Sequence, residues 1–154
     1  AHRRLIITTP YFVPDEPSLL ALKLAVMRGT EVDLVVPRRL DHPIVAAAMR
    51  SYYDTLLEAG VRIHVFRDGL LHAKTITVDD AFALVGSANF DIRSFQLNFE
   101  LNVLLFGDQP TAKLRFIQTY YIDQADRLNL GSWRRRPYLR SALDDAARLL
   151  SPLL

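Results

Sequence analysis

Residues 71–100 read LHAKTITVDDAFALVGSANFDIRSFQLNFE. Within them His72, Lys74, Asp79, Gly86, Ser87 and Asn89 stand in the pattern H-x-K-x4-D-x6-G-S-x-N. Thr75, Ile76, Thr77 and Val78 favour extended backbone, and the spacing predicts a strand over 71–78. Side chains alternate along a strand, so His72 and Lys74 are expected on one face. Asp79-Asp80 supplies turn chemistry. The apolar run 81–85 then returns as a second strand, which makes a hairpin. Ser87 and Asn89, also two apart, share a face if the chain stays extended. An imidazole, an ammonium, a hydroxyl and an amide are thus gathered at one end of a sheet.

That set suits a phosphate diester. The lysine offers a cation to the phosphoryl oxygens, and the serine and asparagine offer neutral donors to the same oxygens as charge develops on them. Histidine titrates near neutrality, so His72 can attack phosphorus or protonate a leaving oxygen. Glu100 is expected on a further strand, 99–106. From there its carboxylate is expected to accept the second N–H of His72 and fix its tautomer. Asn102 shares that face as a secondary candidate. Six fixed residue types over eighteen positions make a more specific pattern than an isolated H-x-K.

The pattern resembles the HKD signature of the phospholipase D superfamily. The surroundings narrow the resemblance. Thr9-Pro10-Tyr11-Phe12-Val13-Pro14-Asp15, Arg50-Ser51-Tyr52-Tyr53, Ala59-Gly60-Val61, Arg93-Ser94-Phe95, Leu97-Asn98-Phe99-Glu100 and the stretch 148–154 (RLLSPLL) are similar to the second half of the bacterial cardiolipin synthase family. The resemblance runs from about residue 5 to residue 154. Members carry two HKD motifs, whereas this chain has one.

Outward from the motif, the chain reads as alternating strands and helices. Residues 5–9 form a strand that stops at Pro10, and Tyr11 and Phe12 open a rigid aromatic loop between prolines. Asp15 is expected to cap a helix that ends at Gly29, with so little polar face that it is well buried. A strand over 31–37 leads to Arg38-Arg39, read either as a solvated strand end or as a contact for an anionic head group. Asp41 is expected to cap the next helix, which runs to Gly60 with Val45, Ala48, Met49, Tyr52, Tyr53 and Leu56 inward. A strand over 61–66 and a turn at Arg67-Asp68-Gly69 enter the motif. His64 reads as a core or edge histidine, and Asp79 as a residue that stabilises the hairpin. Asp91 and Arg93 are expected to pair. A helix from Gly107 to about Leu128 is expected to turn Leu114, Ile117, Tyr121 and Ala125 inward. Leu139, Leu143, Ala147 and Leu150 repeat at helical spacing. They form either a terminal helix packed on the domain or, with Trp133 and Arg134-Arg135-Arg136, an interfacial patch.

The 154 residues fit a single domain, 1–154, with half of them hydrophobic. The net charge of +2 gives no basic stripe for nucleic acid, and none is expected as a partner. With no cysteine there is no disulfide framework or thiolate metal site, and no metal-ligand spacing or cofactor motif occurs. No run approaches a membrane span. The opening Ala1-His2-Arg3-Arg4 reads as a piece of a longer protein.

These observations predict an α/β fold with a central mixed sheet flanked by helices on both faces. The resemblance implies the phospholipase D-like fold, in which two such units face each other across one site. It also implies transfer of a phosphatidyl group between phospholipids, phosphatidylglycerol to cardiolipin, through a phosphohistidine and without a metal or other cofactor. His72 would then be the acid/base partner, with Lys74, Ser87 and Asn89 on the phosphoryl group and Glu100 orienting His72. The implied partners are an anionic, phosphatidylglycerol-like phospholipid, a membrane surface and a second HKD unit, from the same full-length protein or a homodimer partner. The implied location is the cytoplasmic side of a bacterial cell membrane. A homodimeric HKD phosphodiesterase, phospholipase or nuclease is the other enzymatic reading, and a binding module or scaffold is a third.

Overall fold

A computed structural model describes residues 1–67 and 69–149. Asp68, within the turn expected before the motif, lies outside the described residues. So do residues 150–154, with the Leu150 position of the expected terminal helix and most of the closing RLLSPLL stretch.

The chain opens with β1 (Arg4–Thr8), β2 (Phe12–Val13), α1 (Glu16–Met27) and β3 (Glu31–Pro37). Helices α2 (Pro43–Ser51) and α3 (Tyr53–Ala59) lead to β4 (Arg62–Phe66). The motif spans β5 (Thr75–Val78) and β6 (Phe82–Gly86), followed by β7 (Phe90–Asp91), α4 (Ile92–Gln96) and β8 (Asn102–Phe106). Helix α5 (Asp108–Asp123), β9 (Ala125–Arg127), α6 (Leu130–Arg134) and α7 (Tyr138–Arg148) complete the order. Seven strands form one mixed sheet, in the order β8-β6-β5-β1-β3-β4-β9. The β1–β3 and β3–β4 pairs are parallel and the others antiparallel. Strands β2 and β7 make a separate parallel pair.

Alternation along the strands divides the core between the two faces of the sheet. On one face Ile7, Leu34, Val36 and Ile63 pack with Leu19, Leu22, Met49 and Leu56 from the helices α1 to α3. On the other, Ile6, Val35 and Leu71 meet Tyr121 and Ile122 of α5. Helices therefore flank both faces, as expected. Among the described residues no helix is long and apolar enough to cross a membrane.

Several local expectations change. Asp15 does cap α1, accepting the Ser18 N–H at 3.0 Å, and the helix closes at Gly29 in the left-handed region at φ 87°. The helix is not well buried, however. Leu20, Leu24 and Met27 are exposed, because only one stripe of α1 reaches the sheet. Asp41 does not cap α2. His42 occupies that position without a side-chain bond, and Asp41 instead accepts the Tyr11 hydroxyl at 2.5 Å. The single helix expected up to Gly60 is broken at Tyr52 into α2 and α3.

Trp133 is not an outward-facing anchor. It packs on the core beside Tyr53, with ring centroids 5.2 Å apart, and Arg136 stacks over it at 4.1 Å. Arg134 and Arg136 pair with Asp54. Helix α7 packs on α2 through buried Asp144, whose carboxylate accepts from Arg50 at 2.8 Å. The terminal helix is thus packed on the domain, but through Asp144 and Ala147, whereas Leu139 and Leu143 of the expected apolar repeat are exposed.

Asp33 is the most constrained charge of the sheet. It is 1% exposed and accepts from Arg4, Arg62 and His64 at 2.7 to 3.1 Å. Burial raises its pKa, but the bonds from His64 and Arg62 outweigh that and hold the carboxyl well below the usual range. An acid depressed on folding stabilises the fold above its unfolded pKa of about 4, and that stabilisation is lost as pH falls toward the folded value. Thermal unfolding followed between pH 7 and pH 2.5 is therefore expected to show wild type losing stability in this window. Asp33→Asn is expected to start about 3 kcal/mol lower at pH 7 and to show a shallower acid slope.

Candidate active site

The β5–β6 hairpin turns at Asp79, Asp80 and Ala81, with Asp79 in the left-handed region at φ 49°. The Asp79 carboxylate accepts the backbone N–H groups of His2, Arg3 and Arg4, each at 2.8 Å. Burial raises its pKa, but these three bonds bring it down to about 2. Asp79 therefore ties the hairpin to the start of β1, a structural role at the far end of β5 from Lys74.

The strand bearing the motif is shorter than expected. It starts at Thr75, so His72 and Lys74 lie on the segment leading into it. The reason is the neighbour. Thr8 of β1 pairs with Thr75, and the Thr9 N–H then bonds to Val35 across to β3, so β1 offers nothing to residues 71–74. Buried Leu71 anchors this segment, and His72 beside it is exposed. The ammonium of Lys74 donates to the His72 carbonyl at 3.0 Å, and the Gly86 N–H donates to the Lys74 carbonyl at 3.1 Å.

Glu100 is likewise off the strand, because β8 begins at Asn102, opposite Gly86 where β6 ends. Its carboxylate accepts the Ser87 hydroxyl and the Asn98 amide, the latter at 3.3 Å. Among the described residues Glu100 makes no hydrogen bond to His72. The imidazole makes none to any described residue. The bond from Ser87, ahead of the opposing effect of desolvation, lowers the Glu100 pKa. Desolvation lowers that of Lys74, with Glu100 and Asp91 acting against it.

A cavity of about 390 Å³ joins these elements. Lys74, Asn89, Ser94, Asn98, Glu100 and Asn102 contribute polar groups to its wall, and Thr8 and Thr9 close the β1 side. Three of the expected residues, Lys74, Asn89 and Glu100, thus share one cavity. Ser87 reaches it through Glu100, and His72 is not part of the wall.

Ser94 is a participant that sequence reasoning missed. Its hydroxyl accepts the Asn89 N–H at 3.1 Å, and its own N–H donates to Asp91 at 2.6 Å. Asp91 is the cap of α4 rather than the partner of Arg93. The pattern D-x-x-S over 91–94, a capping spacing, was the available signal. Thr9 was missed too. Its hydroxyl donates to the Tyr11 carbonyl at 2.7 Å and accepts the Phe90 N–H at 3.1 Å, which fastens β2 beside the residue following Asn89. Near this rim, burial and then the bond to Asp41 push the Tyr11 phenol up to about 12.

The arrangement can bind a tetrahedral anion between one cation and several neutral donors, with a histidine close by in sequence and open to solvent. The domain family described as "Cardiolipin synthase, PLD-like domain" matches residues 1–121. Cardiolipin synthase A of Serratia proteamaculans is 44% identical over 154 residues, covering 100% of this chain and 32% of that protein. Cardiolipin synthase of Alkalihalophilus pseudofirmus is 40% identical, with 31% of its length covered. The chain thus spans about a third of the length of these relatives. Among solved structures, the phospholipase D family member Nuc from Salmonella typhimurium superposes with a TM-score of 0.72 at 20% identity, over 84% of each chain. Phosphatidylserine synthase from Haemophilus influenzae superposes with a TM-score of 0.76 at 19% identity, over 99% of this chain and 42% of that one. The architecture is therefore the phospholipase D-like α/β fold.

Proposed function

The chain belongs to the family of cardiolipin synthase PLD-like domains, and on that premise we propose that it is one catalytic half of a phosphatidyltransferase that converts phosphatidylglycerol to cardiolipin. The observation that carries this reading is the cavity at which Lys74, Asn89 and Glu100 meet, with His72 bonded to Lys74 through its carbonyl.

In the proposed reaction a histidine of the paired unit attacks the phosphorus of one phospholipid. A nitrogen–phosphorus bond forms as the bond to the glycerol oxygen breaks, and His72 gives its proton to that leaving oxygen. His72 then removes the proton from a hydroxyl of a second phospholipid. That oxygen attacks phosphorus, the phosphohistidine bond breaks, and the diester is restored. Lys74 neutralises charge on the non-bridging oxygens and Asn89 adds a neutral donor, which Ser87 joins on turning its hydroxyl from Glu100 to the substrate. In a symmetric pair His72 fills both roles.

Two observations support a second unit. His72 is exposed, whereas phosphoryl transfer to an alcohol instead of water needs a site closed to solvent. Beside the cavity, Leu97 is 70% exposed, Phe99 fully so and Leu101 75%, next to the open edge strand β8. An apolar run of this kind on a free sheet edge calls for a cover. A second HKD unit seated there would cover it and bring its own motif to the cavity. The single domain 1–154 and its placement at the cytoplasmic face of a bacterial membrane belong to the same proposal.

The test is the product made from phosphatidylglycerol vesicles by the protein containing this chain and a second motif. Cardiolipin and free glycerol in equal amounts are expected. Phosphatidic acid as the sole product, or cleavage of single-stranded DNA without lipid turnover, would replace the transferase with a hydrolase.

A further inference from the structure

The cavity has a floor that phosphate chemistry does not use. Beneath its polar rim lie Ile7, Ile76 and Leu84, side by side on one face of β1, β5 and β6, with Phe90 and Phe95 as a side wall. Its volume of about 390 Å³ holds roughly a dozen water-sized groups, far more than a phosphoryl group fills. We propose that this floor is a subsite for the glycerol-ester end and first acyl carbons of a phospholipid, entered from the phosphoryl-binding rim, with Leu84 setting the preference for acylated diesters. The inference rests on the phosphatidyltransferase reading and deepens it.

Three features favour an acyl segment over a nucleoside. The floor is aliphatic and belongs to the rigid centre of the sheet, where Ile7 is 2% exposed. Phe90, the aromatic group a base would stack on, is already stacked on Phe12 at 5.1 Å and meets Phe95 edge-to-face at 5.3 Å. The wall combines a polar group of side chains, Lys74, Asn89, Asn98 and Glu100, with the aliphatic Ile7, Ile76 and Leu84, so a ligand with one charged end and an apolar body satisfies both parts. A base would leave its ring edge facing aliphatic carbon.

The experiment measures binding, which does not require the second motif. Soluble dihexanoyl phosphatidylglycerol, below its micelle concentration, is titrated into the chain and followed by NMR. Deacylated glycerophosphoglycerol and a thymidine dinucleotide are titrated alongside. Burying two methylene groups suffices for about a tenfold gain, so the acylated diester is expected to bind at least about tenfold tighter than the deacylated one. Leu84→Phe, which fills the floor, is expected to bring that ratio to within about twofold. Leu84→Asn, which makes the floor polar without filling it, is expected to do the same and covers the case in which the larger ring unfolds the chain. Equal affinity for the acylated and the deacylated diester in wild type, or an acyl advantage untouched by both variants, overturns the subsite. Tighter binding of the dinucleotide overturns it in favour of a base site. Lys74→Ala separates the two levels of the argument. Equal binding that Lys74→Ala weakens removes the subsite alone. No binding of any diester removes the phosphoryl-binding reading beneath it.

Discussion

His72→Ala is expected to lower turnover by the paired enzyme at least about ten-thousand-fold while leaving the fold intact, because loss of an acid/base or nucleophilic group has effects of that order. The structural half of this expectation comes from the environment of the residue. His72 is exposed and its ring bonds to no described residue, while the neighbouring Leu71 carries the anchoring. A surface side chain of that kind changes stability by no more than about 0.5 kcal/mol. Turnover of phosphatidylglycerol and thermal midpoint, measured on one preparation, decide it. An unchanged midpoint with turnover lost is the expected pair. Turnover retained within tenfold would remove His72 from the chemistry.

Gly86→Ala is expected to damage both the fold and the site. A Cβ there would stand 1.9 Å from Asn102 Oδ1 and 2.6 Å from the Leu101 carbonyl oxygen. The Asn102 side chain can rotate away. The Leu101 carbonyl is fixed, because it accepts the Ser87 N–H at 3.0 Å and the next residue is in register with Gly86. Relief therefore requires the β6–β8 edge to open, at a cost of about 3 kcal/mol, the upper range for an overpacked position. For a chain of this size that lowers the thermal midpoint by roughly 10 °C. Ser87 and Asn89 follow Gly86 directly, so phosphoryl binding is expected to weaken even at temperatures where the variant stays folded. A midpoint within 2 °C of wild type, with turnover intact, would show that the edge yields without cost.

The hairpin could be read from residues because its signals are local. β-branched residues form β5, Asp79 takes the left-handed turn position, and a glycine stands where two strands and a side chain converge. Strand lengths could not be read, because partners set them. β5 begins only where β1 can pair, and β8 only where β6 still runs. For the same reason β9 was hidden inside an expected helix. Ala125, Asp126 and Arg127 have little intrinsic strand preference and are extended because β4 holds them.

The inward face of α5 was read only in part, for a different reason. Tyr121 packs on the core as expected, but Ile117 is exposed, and the fully buried positions are Thr111 and Gln118. Gln118 accepts the Thr77 hydroxyl at 2.6 Å and donates to Thr75 Oγ1 at 3.0 Å, so its amide is satisfied by the strand that carries the site forward. Buried Asp144, held by Arg50 across ninety-four positions, is hidden from sequence in the same way. In the site, residue types and spacing pointed to Lys74, Asn89 and Glu100, which share one cavity, but the engagement of Glu100 by Ser87 depends on a backbone path that spacing does not encode.

The central claim is that one chain supplies half of a catalytic site. Its most direct test is the rate of phosphatidylglycerol turnover by the chain alone as a function of protein concentration, with sedimentation reporting the fraction paired and His72→Ala as the control. The account predicts no turnover from the monomer, and any turnover that appears is expected to rise with the square of concentration and vanish in the variant. A rate proportional to concentration where the chain is monomeric, lost in His72→Ala, would contradict it and make the single cavity a complete site.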